Sequence, residues 1–332
     1  MGGGESVIQM EWREALIDSK SILRGKMVLV SGGAGFLGSH LIDHLNGCEV
    51  SVVDDFSTTN ENYLPSWVKV ARTKVEHFRT EEKFDIIIHM AARPSPDDYI
   101  NHPVETMLTN SVGTLNMLDI ARRSECVFLF TSTSEIYGSA KPVPTPETYW
   151  GFVNPIGLRS CYDESKRFSE ALVMSYYRQY GLEVCVERVF NVYGPRLRED
   201  GSYGRVVSRF IVQALKGAPL SIHGDGMQTR AFLYVDDWVD ANLRLLKLKR
   251  FGGEVINIGS DKEVTILDLA KRIIDLTGSR SKIKYTPARP DDPRRRAADI
   301  SKARTLLKWS PTTPLDDGLK RTIEWFRGRV QC

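Results

Sequence analysis

Tyr162 and Lys166 stand four residues apart in the run 161–167, within a stretch of helical patterning. At that spacing both side chains share one helical face, so the Lys166 ammonium can sit beside the Tyr162 phenol and lower its pKa. A phenol tuned in this way accepts a proton from an alcohol. An alcohol losing its proton to a base can pass a hydride to a nicotinamide ring, so the pair suggests dehydrogenation at a carbinol carbon. The same spacing also arises by chance on solvated helices, and its meaning depends on what surrounds it.

A second group supplies that context. Gly32, Gly35 and Gly38 lie between an apolar strand at 26–31 and an apolar helix running to Leu45. There glycine lets the backbone turn tightly and approach a pyrophosphate at the helix N-terminus. Asp54 closes the next strand, where a carboxylate can bind both hydroxyls of an adenosine ribose and repel a 2′-phosphate, which favours NAD over NADP. The segment 130–138 leaves its strand after Thr131, so the Thr133 hydroxyl and the Glu135 carboxylate emerge where open α/β folds bind ligands. Thr133 is suitably placed to hydrogen-bond the alcohol that Tyr162 would deprotonate.

Positioning these residues requires a frame. Largely apolar strands are expected at 26–31, 49–54, 85–89, 127–131 and 184–188, with helices near 103–123 and 160–180. Alternation of this kind predicts a doubly wound parallel α/β sheet covered on both faces. Beyond residue 191 the pattern loosens into a loop at 197–205, a helix near 206–216, a strand at 255–258 and helices near 264–277 and 314–328. This predicts a smaller mixed α/β lobe. We expect an NAD-binding domain of 26–190 plus 236–262 and a substrate lobe of 191–235 plus 263–332. An amphipathic N-terminal helical extension, 1–25, precedes them.

Composition excludes several classes. With 45 basic against 42 acidic residues in 332, the net charge of +3 gives no general attraction to nucleic acid. No apolar run nears the ~18 residues of a membrane span, and no apolar run follows a basic start at the amino terminus, so secretion is not expected. The five cysteines are scattered without a C-x-x-C pair, so reduced thiols and a cytoplasmic location are expected. The histidines show no ligand spacing, and no metal is expected.

Several motifs in order carry a family resemblance. Gly32 to Gly38, the strand end 89–92, Asn110 within 109–114, Thr133 and the Tyr162/Lys166 pair together resemble the extended short-chain dehydrogenase/reductases that act on nucleotide sugars. Within that group the segments 133–135, 149–157, 188–196, 204–208, 228–232 and 291–293 resemble UDP-glucuronate decarboxylases. The resemblance implies a Rossmann fold, bound NAD, a UDP-sugar substrate and a homodimer. It makes Tyr162 the base, with Lys166 holding the phenolate and the nicotinamide ribose, and Thr133 completing the alcohol site. Phe36, Leu37, Asp55, Ala91, Asn110 and Thr131 would join the glycines and Asp54 around NAD.

Oxidation at sugar C4 would create a ketone β to the C6 carboxylate. Carbon dioxide then leaves readily because the electrons become an enolate, and reduction at C4 would give UDP-xylose. The resemblance points to Glu135 and Arg230 for decarboxylation and protonation at C5, with Glu135 carrying the proton if burial raises its pKa. Ser134 stands where related 4,6-dehydratases carry an Asp that protonates the departing hydroxyl, so this position favours decarboxylation. Asn191 would contact a phosphate, Arg205, Val206 and Phe210 would form part of the uridine side, Arg296 would meet the pyrophosphate, and His223 is a further substrate-binding candidate. Arg159 is a further candidate for the sugar carboxylate. The chain departs from the family near the adenine, where the usual acidic residue is expected to be replaced around Arg79 and Thr80. A 4-epimerase or 4,6-dehydratase is the rival enzyme, and a non-catalytic NAD-binding sensor the rival of another class.

Overall fold

The computed structural model describes residues 23–59, 62–198, 205–248, 250–289 and 292–330. The expected N-terminal helix, Asp291 and much of the 197–205 loop lie outside the described residues.

Strands β1 (Met27–Ser31), β2 (Glu49–Asp54), β3 (Lys69–Arg72), β4 (Ile86–His89), β5 (Val127–Thr133), β6 (Val184–Val189) and β11 (Glu254–Ile258) form one sheet, in the order β11-β6-β5-β4-β1-β2-β3. Every neighbouring pair is parallel. The sheet is apolar on both faces because helices cover both. Val28 and Val30 enter one core while Leu29 enters the other, and Ile86 and Ile88 are likewise separated from Ile87. Such strands read as continuous apolar runs, which is why they are visible in the sequence.

Helices α1 (Phe36–Ile42), α2 (Pro96–Asn101), α3 (Pro103–Ser124) and α4 (Ser160–Tyr180) lie between these strands. The helix expected to run to Leu45 stops at Ile42. Two elements carry no clear sequence signal: β3 is an edge strand with little burial, and α2 is a short turn of helix opened by Pro96. The remaining elements build the smaller sheets around α5 (Val206–Leu215), α6 (Val235–Leu245), α7 (Ile266–Thr277), α8 (Ser301–Leu307) and α9 (Leu315–Arg327). Here β8 (Leu220–His223) pairs with β13 (Ile283–Thr286), and β9 (Thr229–Ala231) pairs with both β12 (Glu263–Thr265) and β14 (Arg295–Arg296). The short strands β7 (Val192–Tyr193) and β10 (Leu233–Tyr234) pair with each other.

Chain order reverses where β1 lies between β2 and β4, which opens a crevice at the carboxyl ends of the strands. No described helix is long and apolar enough to cross a membrane.

Candidate active site

A cleft of ≈ 390 Å³ occupies that crevice and runs from the glycine loop to the smaller lobe. Its first end is made by backbone. Gly32 has φ +73°, and a Cβ there would lie 2.7 Å from the Ala91 nitrogen. A Cβ on Gly38 would lie 2.5 Å from the Gly32 carbonyl oxygen, so the loop can close onto α1 only with glycine at both ends. Gly35, Phe36, Leu37, Asp55 and Ala91 also line the cleft. The Asp54 carboxylate accepts from the Ala34 amide at 2.9 Å and the Phe56 amide at 2.8 Å. Burial pushes this carboxyl up, against the pull of those two amides. Beyond β3 the wall is formed by Val75 and Glu76. Glu76 accepts from the Thr109 hydroxyl at 3.0 Å. Arg79 instead binds the carbonyls of Glu76 and Phe78.

Mid-cleft, β5 runs to Thr133 and a 3-10 turn, Ser134–Tyr137, follows. The Thr133 hydroxyl accepts the Glu135 amide at 3.2 Å, which caps that turn, and it also hydrogen-bonds Tyr162. Tyr162 and Lys166 both face the cleft from α4. The Lys166 ammonium donates to the Thr131 carbonyl at 2.9 Å and lies 4.7 Å from the Phe130 ring centroid. Burial lowers its pKa to about 8, while Glu170 and Glu187 act in the opposite sense. Burial pushes the Tyr162 phenol up, and the opposing pull comes from Arg205 and the Thr133 hydroxyl. Contrary to the expected lowering, the phenol stands above its usual range in this structure, because burial outweighs the groups that pull it down. Tyr99 of α2, which carries no signal in the sequence, stacks on Tyr162 at 5.2 Å between centroids and 11° between planes.

On the sugar-facing side Glu135 sits between two guanidiniums. Arg296 binds both its oxygens, with Nη2 at 2.8 Å from Oε2, and Arg159 binds Oε2 as well. Burial alone would raise this carboxyl, but Arg296 and Arg159 outweigh it and hold Glu135 at about 2. This corrects the expectation that burial makes Glu135 a proton carrier: two cations keep it ionised. It also corrects Arg296, which does not line the cleft toward a pyrophosphate but is spent on Glu135. Arg296 arrives there because β14 pairs with β9 in a register that sets it beside Arg230. Arg230 does line the cleft, its guanidinium donating to the Asp292 carboxylate and the Thr229 carbonyl, each at 2.8 Å.

Ser134, Arg159, Asn191, Arg205, Val206 and His223 line the same cleft. Arg209 and Arg289, unmarked in the sequence reading, add two more basic side chains to this end. Two candidates stand behind the wall. Phe210 is fully buried and belongs to the core rather than a uridine pocket, because α5 turns it inward. Asn110 is buried between α3 and α4, where its side-chain amide donates to the Ser165 hydroxyl at 2.9 Å and its backbone carbonyl accepts from the Ser169 hydroxyl. Among the described residues no group of three or more His, Cys, Asp or Glu is placed to hold a metal ion.

Residues 28–259 match the model of the NAD dependent epimerase/dehydratase family. The chain belongs to this family. The chain is 45% identical over 312 residues to UDP-glucuronic acid decarboxylase 1 of Danio rerio, covering 92% of this chain and 74% of the relative. Identity to UDP-glucuronic acid decarboxylase 5 of Arabidopsis thaliana is also 45%, over 322 residues that cover 95% of this chain and 93% of that one. Among solved structures, the UDP-glucose 4-epimerase of Thermotoga maritima with UDP-glucose superposes with a TM-score of 0.86 at 34% identity, covering 92% of this chain and all (100%) of the other. A UDP-glucuronic acid 4-epimerase variant from Bacillus cereus, bound to NAD and a fluorinated UDP-sugar, gives 0.82 at 30%, covering 91% and 99%. The family's cofactor is NAD, and the cleft's glycine turn and Asp54 fit it: the turn has no room for a Cβ at Gly32 or Gly38, and the carboxylate faces the cavity.

Proposed function

We propose that this protein is an NAD-dependent UDP-glucuronate decarboxylase that forms UDP-xylose. When bound, NAD accepts a hydride from sugar C4 and later returns it. The protein's own residues bind, orient and move protons. Tyr162 takes the C4 hydroxyl proton and gives it back, Thr133 holds the same oxygen, and Lys166 stabilises the phenolate electrostatically. The glycine turn, Phe36, Leu37, Asp54, Asp55, Ala91 and Thr131 hold the cofactor. Asn110 supports them from behind by fixing α4 through Ser165. Asn191, Arg205, Val206, His223 and Arg230 hold the nucleotide and its phosphates, with Arg209 and Arg289 adding charge.

Ser134 carries the choice of reaction. It occupies the place beside Thr133 where expulsion of a hydroxyl would need an acid, and a serine does not supply one at neutral pH. A β-keto acid loses carbon dioxide without such a donor. The ionised Glu135, clamped by Arg159 and Arg296, then presents fixed charge where the C6 carboxylate would lie, rather than a proton. Because the solved neighbours include 4-epimerases, product analysis decides between the readings: UDP-glucuronate and NAD should yield carbon dioxide and UDP-xylose. Conversion to the C4 epimer without gas release would refute the assignment.

The division into an NAD-binding portion, 26–190 plus 236–262, and a sugar-nucleotide portion, 191–235 plus 263–332, is part of this proposal. So is a homodimer. Val104, Leu108, Val112 and Leu115 recur at helical spacing on α3 and are exposed, as is Phe168 on α4. A second copy would bury this stripe. A cytoplasmic setting completes the reading, supported by unpaired thiols at the four described cysteines.

A further inference from the structure

We propose that Glu187 is a positioning residue for the alcohol oxidation: acting through Thr131 from the other face of the sheet, it keeps the Lys166 ammonium in place and charged. This rests on the hydride step of the proposed function and not on the loss of carbon dioxide. Neither the glycine turn nor the sugar-facing cluster uses Glu187, yet it is a fully buried carboxyl in the middle of the sheet. An anion at such a place needs donors and a counter-charge, and the structure provides both.

Strand pairing builds the contact. Thr131 of β5 and Glu187 of β6 are direct partners in the parallel register, so their side chains stand on one face. The Thr131 hydroxyl donates to Oε1 of Glu187 at 2.6 Å, and the Asn242 amide of α6 donates to Oε2 at 3.0 Å. Each carboxylate oxygen thus meets a donor, which suits the anion. Phe130, one residue earlier, packs into the core of the opposite face, and there the Lys166 ammonium lies 4.7 Å from its ring centroid. From that side Lys166 donates to the Thr131 carbonyl at 2.9 Å. One residue therefore holds the carboxylate with its side chain and the ammonium with its backbone.

The surrounding charges make Glu187 the counter-charge of Lys166. Glu170 of α4 also acts on Lys166, but it is already bound by the Arg188 guanidinium at 2.7, 3.0 and 3.3 Å and by the Ser132 hydroxyl. Tyr162 shares the cleft face of α4. His89 of β4 is held neutral by burial, and burial pushes the Cys185 thiol of β6 up. Burial raises Glu187 to about 7, opposed by Thr131, Asn242, Trp238 and the charge of Lys166. Burial lowers Lys166 to about 8, opposed by Glu170 and Glu187. Stabilising a phenolate requires the ammonium and not the free amine, so a carboxylate behind the sheet extends the useful range of Lys166 toward higher pH.

The test is Glu187→Gln in the full chain, read as the pH dependence of NAD reduction in a single turnover with UDP-glucuronate. Glutamine keeps an acceptor for the Thr131 hydroxyl and removes the charge. In the unaltered protein the rate should fall as pH rises through about 8, where Lys166 loses its proton. In E187Q that limb should move about one pH unit toward acid, so that the rate at pH 8 drops several-fold. At pH 6, below the Glu187 pKa of about 7, the two proteins should react alike. KM for the UDP-sugar should not change, because Glu187 does not line the cleft. Adding Asn242→Asp to E187Q returns a carboxylate to the same place and should restore the limb. A limb that stays where it was, or a rate lowered equally at every pH, would overturn the proposal. Should E187Q not fold, Asn242→Leu removes a donor from the carboxyl and must move the limb in the same direction, and an unmoved limb there overturns the proposal as well. Failure of the unaltered protein to reduce NAD would overturn this proposal together with the proposed function, whereas NAD reduction without carbon dioxide release would overturn the decarboxylase reading alone.

Discussion

The two ends of the cleft are built differently. The cofactor end is local: Gly32 to Gly38 make the turn within seven consecutive residues, and the Tyr162/Lys166 pair occupies one helical turn. The sugar end is convergent. Glu135 comes from the 3-10 turn, Arg159 precedes α4, Arg230 is on β9 and Arg296 is on β14, so the ion cluster exists only once the smaller lobe has folded. A local site tolerates changes elsewhere in the chain, whereas a convergent one ties chemistry to the docking of several elements.

The largest expected effect separates the two ends through chemistry. Tyr162→Phe should lower turnover by at least ~10³-fold while NAD remains bound, as read from product formation and from cofactor fluorescence. Unaltered turnover would remove the cofactor end from the mechanism. Glu135→Gln should abolish most carbon dioxide release and also weaken the fold, because it leaves Arg159 and Arg296 buried without their anion.

The same cluster should register in an acid titration of stability. Glu135 has its folded pKa at about 2, below the ordinary 4.5, so its contribution is present above 4.5 and is lost as pH falls through 2. Chemical denaturation at pH 6 and at pH 3, both within experimental reach of this range, should show E135Q losing the acid dependence. No such change should accompany Asp54→Ala at the cofactor end. That variant should instead weaken NAD about tenfold by calorimetry and leave the product unchanged.

The smallest effect concerns the two arginines that neighbour one another on β9 and β14. Arg230→Lys, which faces the cleft, should raise KM for the UDP-sugar several-fold with little loss of stability. Arg296→Lys, which faces Glu135, should lower stability and kcat with KM nearly constant. If both variants behave alike, the distinction drawn here between a substrate arginine and a clamp is wrong.

How much of this was legible in the sequence follows the same division. The central strands were readable because burial on both faces leaves uninterrupted apolar runs, whereas β3, an edge strand with no buried residue, shows none. The run 294–296 offered three equivalent arginines. In the structure Arg294 pairs with Asp225 and Arg295 with Glu263, both outward, while only Arg296 turns in. Strand alternation separates Arg295 from Arg296 while Arg294 lies before the strand, and a two-residue strand is too short to announce itself in a pattern. Phe210 likewise could be assigned to α5 but not to a face that meets substrate.

The sequence by itself determined the parallel α/β frame, the glycine turn with Asp54, and the four-residue spacing of Tyr162 and Lys166, since each depends on neighbours within one or two elements. Tertiary structure decided the charge states. Lys166 is drawn to the Thr131 carbonyl, and Glu135 is held ionised by residues 24 and 161 positions away. Proton affinity depends on burial and on distances between charges, and neither exists until the chain has folded.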